Sequence, residues 1–257
     1  MGGSPLWLTL LAGLSTGLGG LLAMLCPPSR RLLAVSAGFA GGVMLAASLA
    51  DLVPGALAFY RVYLPPLGCG GALVLLLLAG MVAAAALSAL LPEEAELAER
   101  MSGDSARTAA LRTALITGAV LLLHNFPEGV LTLFAGTADP ALGARTALAV
   151  ALHNIPEGVA VAVPFAFALH SRLGGALAAL LSGLAEPAGA LLALLFLRGW
   201  FTPGLLNGTV VLVAGVMIWV AIAQLLPAAL AFPRGRPGLW GTAAGVLLML
   251  LGIAALP

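Results

Sequence analysis

The chain reads as an all-α membrane protein of eight transmembrane helices, and three observations carry that reading. It is 61% hydrophobic and 8% charged, with a mean hydropathy of +1.12. Apolar runs fill nearly all of its 257 residues, and about 20 such residues span a bilayer core. The runs are separated by short polar or Pro-rich connections such as Pro27-Pro28-Ser29-Arg30-Arg31 and Pro233-Arg234-Gly235-Arg236-Pro237. A single integral membrane domain over 1–257 is expected, with no room for a separate soluble domain.

The spans are expected near 6–26, 32–60, 67–91, 113–135, 143–169, 173–197, 205–231 and 238–256. The first has no positive charge ahead of it, and Arg30 and Arg31 follow it. That order suits a retained span better than a cleaved signal peptide. The longer connection, about 92–112, holds Glu93, Glu94, Glu96, Glu99 and Asp104 and is expected to be a solvated cytoplasmic loop. Asp139 is likewise expected to be a solvated charge. Cys26 and Cys69 fall at ends of spans on opposite faces, which excludes a disulfide between them. All eleven basic residues are arginines, and the net charge of +1 gives no pointer to nucleic acid as a partner.

With the N-terminus outside, the inner connections hold Arg30, Arg31, Arg100, Arg107, Arg112, Arg172, Arg234 and Arg236, and the outer ones only Arg61, Arg145 and Arg198. The excess of positive charge inside places both termini on the extracytoplasmic side.

An internal repeat relates the second and seventh spans. Gly42-Val43-Met44 aligns with Gly215-Val216-Met217, Asp51-Leu52-Val53-Pro54 with Gln224-Leu225-Leu226-Pro227, and Ala56-Leu57 with Ala229-Leu230, at one constant offset. Four spans lie between, so the two copies cross in opposite directions. Spans 1–3 are therefore paired with 6–8 as inverted repeats around a central pair, 4 and 5, an arrangement found in secondary transporters. Gly13-xxx-Gly17 and Gly38-xxx-Gly42 are read as surfaces where helices approach closely. Met44 and Met217 are read as core and His170 as interfacial.

Polar side chains at membrane depth are few: Asp51 in span 2, His124 and Glu128 in span 4, His153 and Glu157 in span 5, Glu186 in span 6 and Gln224 in span 7. An acid at the bilayer centre costs roughly 2.5–3.5 kcal/mol even on a lenient insertion scale. Four acids without a basic neighbour need protons or a bound cation to balance them. Spans 4 and 5 carry His124-Asn125-Phe126-Pro127-Glu128-Gly129 and, 29 residues on, His153-Asn154-Ile155-Pro156-Glu157-Gly158. On a helix the Glu falls about 40° and the Asn about 100° from the His, so the Glu points between the other two. Each proline also frees a carbonyl beside the unit. Imidazole with carboxylate suits Zn²⁺ or Fe²⁺, with Cd²⁺, Co²⁺ and Mn²⁺ as relatives, and the lack of Cys speaks against copper(I).

These two motifs, with Ser182-Gly183-Leu184-Ala185-Glu186-Pro187 in span 6, resemble the signature of the ZIP (Zrt/Irt-like) metal transporters, nearest to the bacterial ZupT-like zinc-uptake branch. The resemblance covers essentially the whole chain. It implies a binuclear site in mid-pore, with His124, Glu128, His153 and Glu157 holding one ion. Asn125, Glu128, Asn154, Glu157 and Glu186 would hold the other. It implies that Asp51 and Gln224 lie along the transport path, although relatives often have an acid where Gln224 stands. It further implies a bacterial inner-membrane location, a homodimer, and the metal as transported substrate with no prosthetic group. The expected function is uptake of Zn²⁺, and of Fe²⁺, Cd²⁺, Mn²⁺ or Co²⁺, into the cytoplasm. An exporter or proton-coupled carrier of the same fold is the alternative. An intramembrane metalloenzyme is a weaker rival, because the order is HNxPE and no separate catalytic base is evident.

Overall fold

A computed structural model describes residues 5–92, 96–97, 99, 104–197, 202–231 and 236–255. Among these there is no strand, and eight helices are long and apolar enough to cross a membrane. They are α1 Pro5–Met24, α2 Arg30–Tyr60, α3 Pro66–Ala89, α4 Ser105–Ala138, α5 Pro140–Leu169, α6 Arg172–Phe196, α7 Pro203–Leu230 and α8 Arg236–Ala255. The fold class expected from the sequence is the one observed.

Polar residues in the connections start the helices. Ser29, Asp104, Ser171 and Thr202 each accept a hydrogen bond from a backbone N–H in the first turn that follows, satisfying donors the helix leaves unpaired. Asp139 does the same for α5, accepting from the N–H groups of Ala141 and Leu142. It is exposed, as expected, but its task is a cap. His170 ends α5 in the left-handed conformation, φ 52°.

The fourth span, expected near 113–135, lies within a longer helix that starts at Ser105. Asp104 caps Arg107 N–H there, and the Ala-rich stretch beyond it favours helix. The 34 residues of α4 extend about 50 Å, well past a bilayer core of about 30 Å. The first turns therefore stand outside the apolar layer. Of the expected 92–112 loop, Glu96 and Glu99 are exposed and helical; Glu93, Glu94, Arg100 and their neighbours lie outside the described residues, as do Arg198 and Arg234.

Two helices are interrupted at matching places. In α2 the segment Ser48–Leu52 is π-helical, and in α7 so is Ala221–Leu225. These are equivalent under the Gly42/Gly215 offset. Each is followed by a proline, Pro54 or Pro227, at the start of the next α-helical segment. A proline cannot bond the carbonyl four residues back and crowds it; widening the preceding turn relieves that conflict.

Packing repeats the same correspondence. Helix α2 lies on α8 as α7 lies on α3, and α1 lies on α5 as α6 lies on α4. Gly42 backs onto the Thr242 carbonyl of α8, and its equivalent Gly215 onto the Leu77 carbonyl of α3. No side chain fits at either contact. Met44 and Met217 are fully enclosed in the central core with Val43, Ile116, Val120 and Val161. Helices α1, α4, α5 and α6 surround the polar residues.

Candidate metal centre

Prolines shape the three helices that carry the motifs. Pro127 and Pro156 sit inside continuous α4 and α5. Helix α6 breaks at Leu184, between Arg172–Gly183 and Ala185–Leu192. Pro187 explains the break, since its ring would collide with the Gly183 carbonyl in an unbroken helix. Glu186 consequently lies in the first turn of the second half-helix, where the dipole favours an anion.

The motif residues converge. His124, Asn125, Glu128, His153, Asn154, Glu157 and Glu186 are all buried, none more than 6% exposed. His153 Nε2 lies 2.9 Å from Glu128 Oε1, and His124 Nε2 lies 3.1 Å from the same oxygen. His124 Nε2 is also 3.5 Å from Glu157 Oε1. The ring centroids of the two histidines are 6.4 Å apart. Ligand atoms of His124, Glu128 and His153 all fall within 4.8 Å of one another, close enough for one ion to touch all three.

The asparagines are oriented by backbone. Asn125 donates to the Ser182 carbonyl at 3.0 Å, and Asn154 to the Ala12 carbonyl at 2.9 Å. Asn154 also donates to Glu186 Oε1. Both amide nitrogens thereby donate, Asn154 twice and Asn125 once, while both Oδ1 atoms have no hydrogen-bond partner among the described residues. The same holds for both oxygens of Glu157, one each of Glu128 and Glu186, and Nδ1 of both histidines. Leaving a buried polar atom unpaired costs about 1–3 kcal/mol, more when it is charged. Glu128 and Glu157 pair with imidazoles, not with arginine. So many unused lone pairs in one enclosed place suit a divalent cation, and the His/Glu/Asn set suits a borderline metal such as zinc.

Asp51 departs from the expectation of four buried acids. It is exposed within its π-helical segment, so three carboxylates, not four, are enclosed. The wide turn sends Ser48 into the core, where it meets Met217 Sδ at 3.6 Å, and leaves Asp51 on the flank. The next residue, Leu52, lines a cavity of about 230 Å³ that reaches Glu128. Gln224 is half-buried in the matching segment. Its neighbour Leu225 lines a second cavity, about 290 Å³, which opens by Arg30 and Ala106 and does not include the motif residues. Sequence reasoning gave α1 only a helix-packing surface at Gly13 and Gly17, yet its Ala12 carbonyl also holds Asn154. The signal was present: Gly13-Leu14 repeats Gly183-Leu184 of α6.

A membrane protein, helical throughout its described spans, whose buried carboxylates and imidazoles converge on one enclosed point is of a class that handles cations. The comparisons name the family. The family profile described as ZIP Zinc transporter matches residues 82–256. The chain is 37% identical to the zinc transporter ZupT of Corynebacterium glutamicum over 253 residues, covering 96% of each. It is 37% identical to that of Stenotrophomonas maltophilia strain K279a over 243 residues, 93% of this chain and 90% of the relative. With that of Chlorobium chlorochromatii it shares 34% identity over 259 residues, 96% and 95% of the two chains. The chain belongs to the ZIP family and is a transporter, not an enzyme.

Proposed function

We propose that this protein carries Zn²⁺, and with it Fe²⁺, Cd²⁺, Mn²⁺ or Co²⁺, across the bacterial inner membrane into the cytoplasm. The cargo passes through a binuclear site between α4, α5 and α6. One ion is held by His124, Glu128, His153 and Glu157, the other by Asn125, Glu128, Asn154, Glu157 and Glu186. The carrying observation is the buried carboxylate of Glu157: neither oxygen has a hydrogen-bond partner among the described residues, and one lies 3.5 Å from His124 Nε2. An enclosed carboxylate with unused lone pairs is a ready seat for a bound cation.

The whole chain acts as one transport unit with both termini outside, in keeping with the arginine-rich inner connections. Inverted repeats account for the paired π-helical segments of α2 and α7. Asp51 and Gln224, one on each, stand at the two approaches to the site, and the unit works as a homodimer. An ion sheds water in the cavity beside Glu128, exchanges onto the His/Glu ligands, and leaves toward the cavity beside Leu225 once α1, α4, α5 and α6 shift. The test is zinc flux into proteoliposomes loaded with a metal-sensitive dye. Uptake by the wild type and its loss in both Glu128→Ala and Glu157→Ala are expected. Near-normal uptake by either variant, folded by size-exclusion chromatography, overturns the assignment.

A further inference from the structure

The site is built around a local two-fold relation that brings in a residue of α1. Gly13 of α1 backs onto the Gly183 carbonyl of α6, and Gly183 backs onto the Gly13 carbonyl. Such a reciprocal contact is the mark of a two-fold axis. The neighbouring contacts obey the same relation. Gly19 packs on the Ile155 carbonyl as Gly189 packs on that of Phe126. Asn154 bonds Ala12 O as Asn125 bonds Ser182 O. Gly129, directly after Glu128, meets the Glu186 carbonyl, while Gly158, directly after Glu157, meets the Thr16 carbonyl. Thr16 is therefore the α1 counterpart of Glu186, at the offset that relates Gly13 to Gly183.

Thr16 is 0% exposed, and its Oγ1 has no hydrogen-bond partner among the described residues. A helical threonine can bond a carbonyl one turn back, as the buried Thr108 does to Asp104, whereas the buried hydroxyls of Thr117 and Thr132 share the unpaired state of Thr16. For Thr16 that carbonyl is Ala12, which already accepts from Ser15 Oγ at 2.5 Å and from Asn154 at 2.9 Å. The carbonyl four residues back is thus already taken. Across the two-fold, Glu186 bonds Asn154; the corresponding neighbour of Thr16 is Asn125, whose Oδ1 is also unpaired. Thr16 is two side-chain atoms shorter than Glu and carries no charge, so the two sides of the two-fold differ in reach and in charge.

We propose that Thr16 is an additional residue of the cation site. It supplies a neutral hydroxyl oxygen beside Asn125, where its counterpart Glu186 supplies a charged one beside Asn154. The consequence is a limit on charge. Three carboxylates do not neutralise two divalent ions, so one ion is held weakly and leaves readily; a fourth carboxylate at residue 16 would remove that imbalance. This rests on the binuclear reading above.

The experiment is calorimetric titration of the purified full-length protein in detergent with Zn²⁺ and with Cd²⁺. Thr16→Val, which keeps the shape and removes the hydroxyl, is expected to weaken one binding step about tenfold. Thr16→Ser, which keeps the hydroxyl, should stay within about twofold of wild type. Thr16→Asp should tighten that step about tenfold and slow zinc release in stopped-flow chelation. A packing role predicts the reverse order, with valine normal and serine impaired, and that result overturns the proposal, as does unchanged binding in both valine and aspartate variants. Thr16→Ala replaces Thr16→Val should the latter not give a monodisperse protein. Glu157→Ala, titrated alongside, separates the two readings. If it abolishes binding while Thr16→Val has no effect, only the role of Thr16 fails; if it too binds zinc normally, the site itself is wrongly assigned.

Discussion

His153 on α5 and Glu128 on α4 meet at 2.9 Å, and the glutamate oxygen they share is also 3.1 Å from His124. One carboxylate thus joins both imidazoles and ties the two central helices together at membrane depth. Replacing a group that merely supports a metal ligand costs about 10–100-fold in affinity. Glu128→Ala, which removes a ligand on the proposed assignment, is expected to lose at least a hundredfold in zinc affinity. Glu128→Gln, which keeps the shape and one acceptor oxygen, should recover only a minor part. Titration calorimetry of the two variants against wild type measures both.

Protons compete with metal at this site. A histidine nitrogen must be neutral and a carboxylate ionised to bind a cation, so binding releases any protons the empty site carries. Affinity should be highest where the ligands bind without displacing protons, and should decline as pH falls through the imidazole range, about 6.5 in free histidine. Zinc affinity at pH 5.5 is expected to be at least tenfold below that at pH 7.5. Titrations in two buffers of different ionisation enthalpy should report net proton release. A pH-independent affinity would contradict a His-containing site.

Backbone contact between α3 and α7 leaves no space for a side chain at Gly80, which faces the Leu212 carbonyl. Gly80→Leu must push the helices apart, and overpacking of this kind costs about 1–3 kcal/mol. A clear fall in the thermal unfolding midpoint in detergent is expected. Gly71→Leu is the control, because nothing lies within 4 Å of the added carbon there; its midpoint should match wild type.

Arg107, in the first turn of α4, donates to the Ala168 carbonyl near the end of α5 through Nε at 3.0 Å and Nη2 at 2.7 Å. Hydrogen bonds from a charged donor contribute about 1.5–3 kcal/mol. Arg107→Ala should lower the unfolding midpoint by several degrees while zinc affinity stays within about twofold, because the contact is remote from the motifs. Arg107→Lys keeps the charge but not the fork, and should recover part of the loss.

Much of this was open to reading in the chain. Long apolar runs leave few alternatives to membrane-spanning helices, since a backbone in hydrocarbon must satisfy its own hydrogen bonds. The repeated His-Asn-x-Pro-Glu-Gly unit identified the buried cluster because ionisable groups are too costly to scatter through such runs. Helix α4 starts ahead of the expected span because hydropathy ends where the lipid does, while a helix continues as long as its residues and cap allow. The position of Asp51 was misjudged for a different reason. A π-helical turn alters the angular phase of the residues within and after it, and the apolar run around Asp51 does not reveal that turn.

By itself, then, the sequence determined the class of structure, the chemistry of the ligand set and the two helices that carry most of it. Only the tertiary structure decided that Glu128 is shared by both histidines, that Asn125 and Asn154 are held by the carbonyls of Ser182 and Ala12, and that α1 borders the site. The physical reason is that side-chain type and helical spacing are local properties, encoded residue by residue. Which helix supplies a backbone carbonyl, and which hydroxyl is left without its own, depends on how closely glycines let distant segments approach.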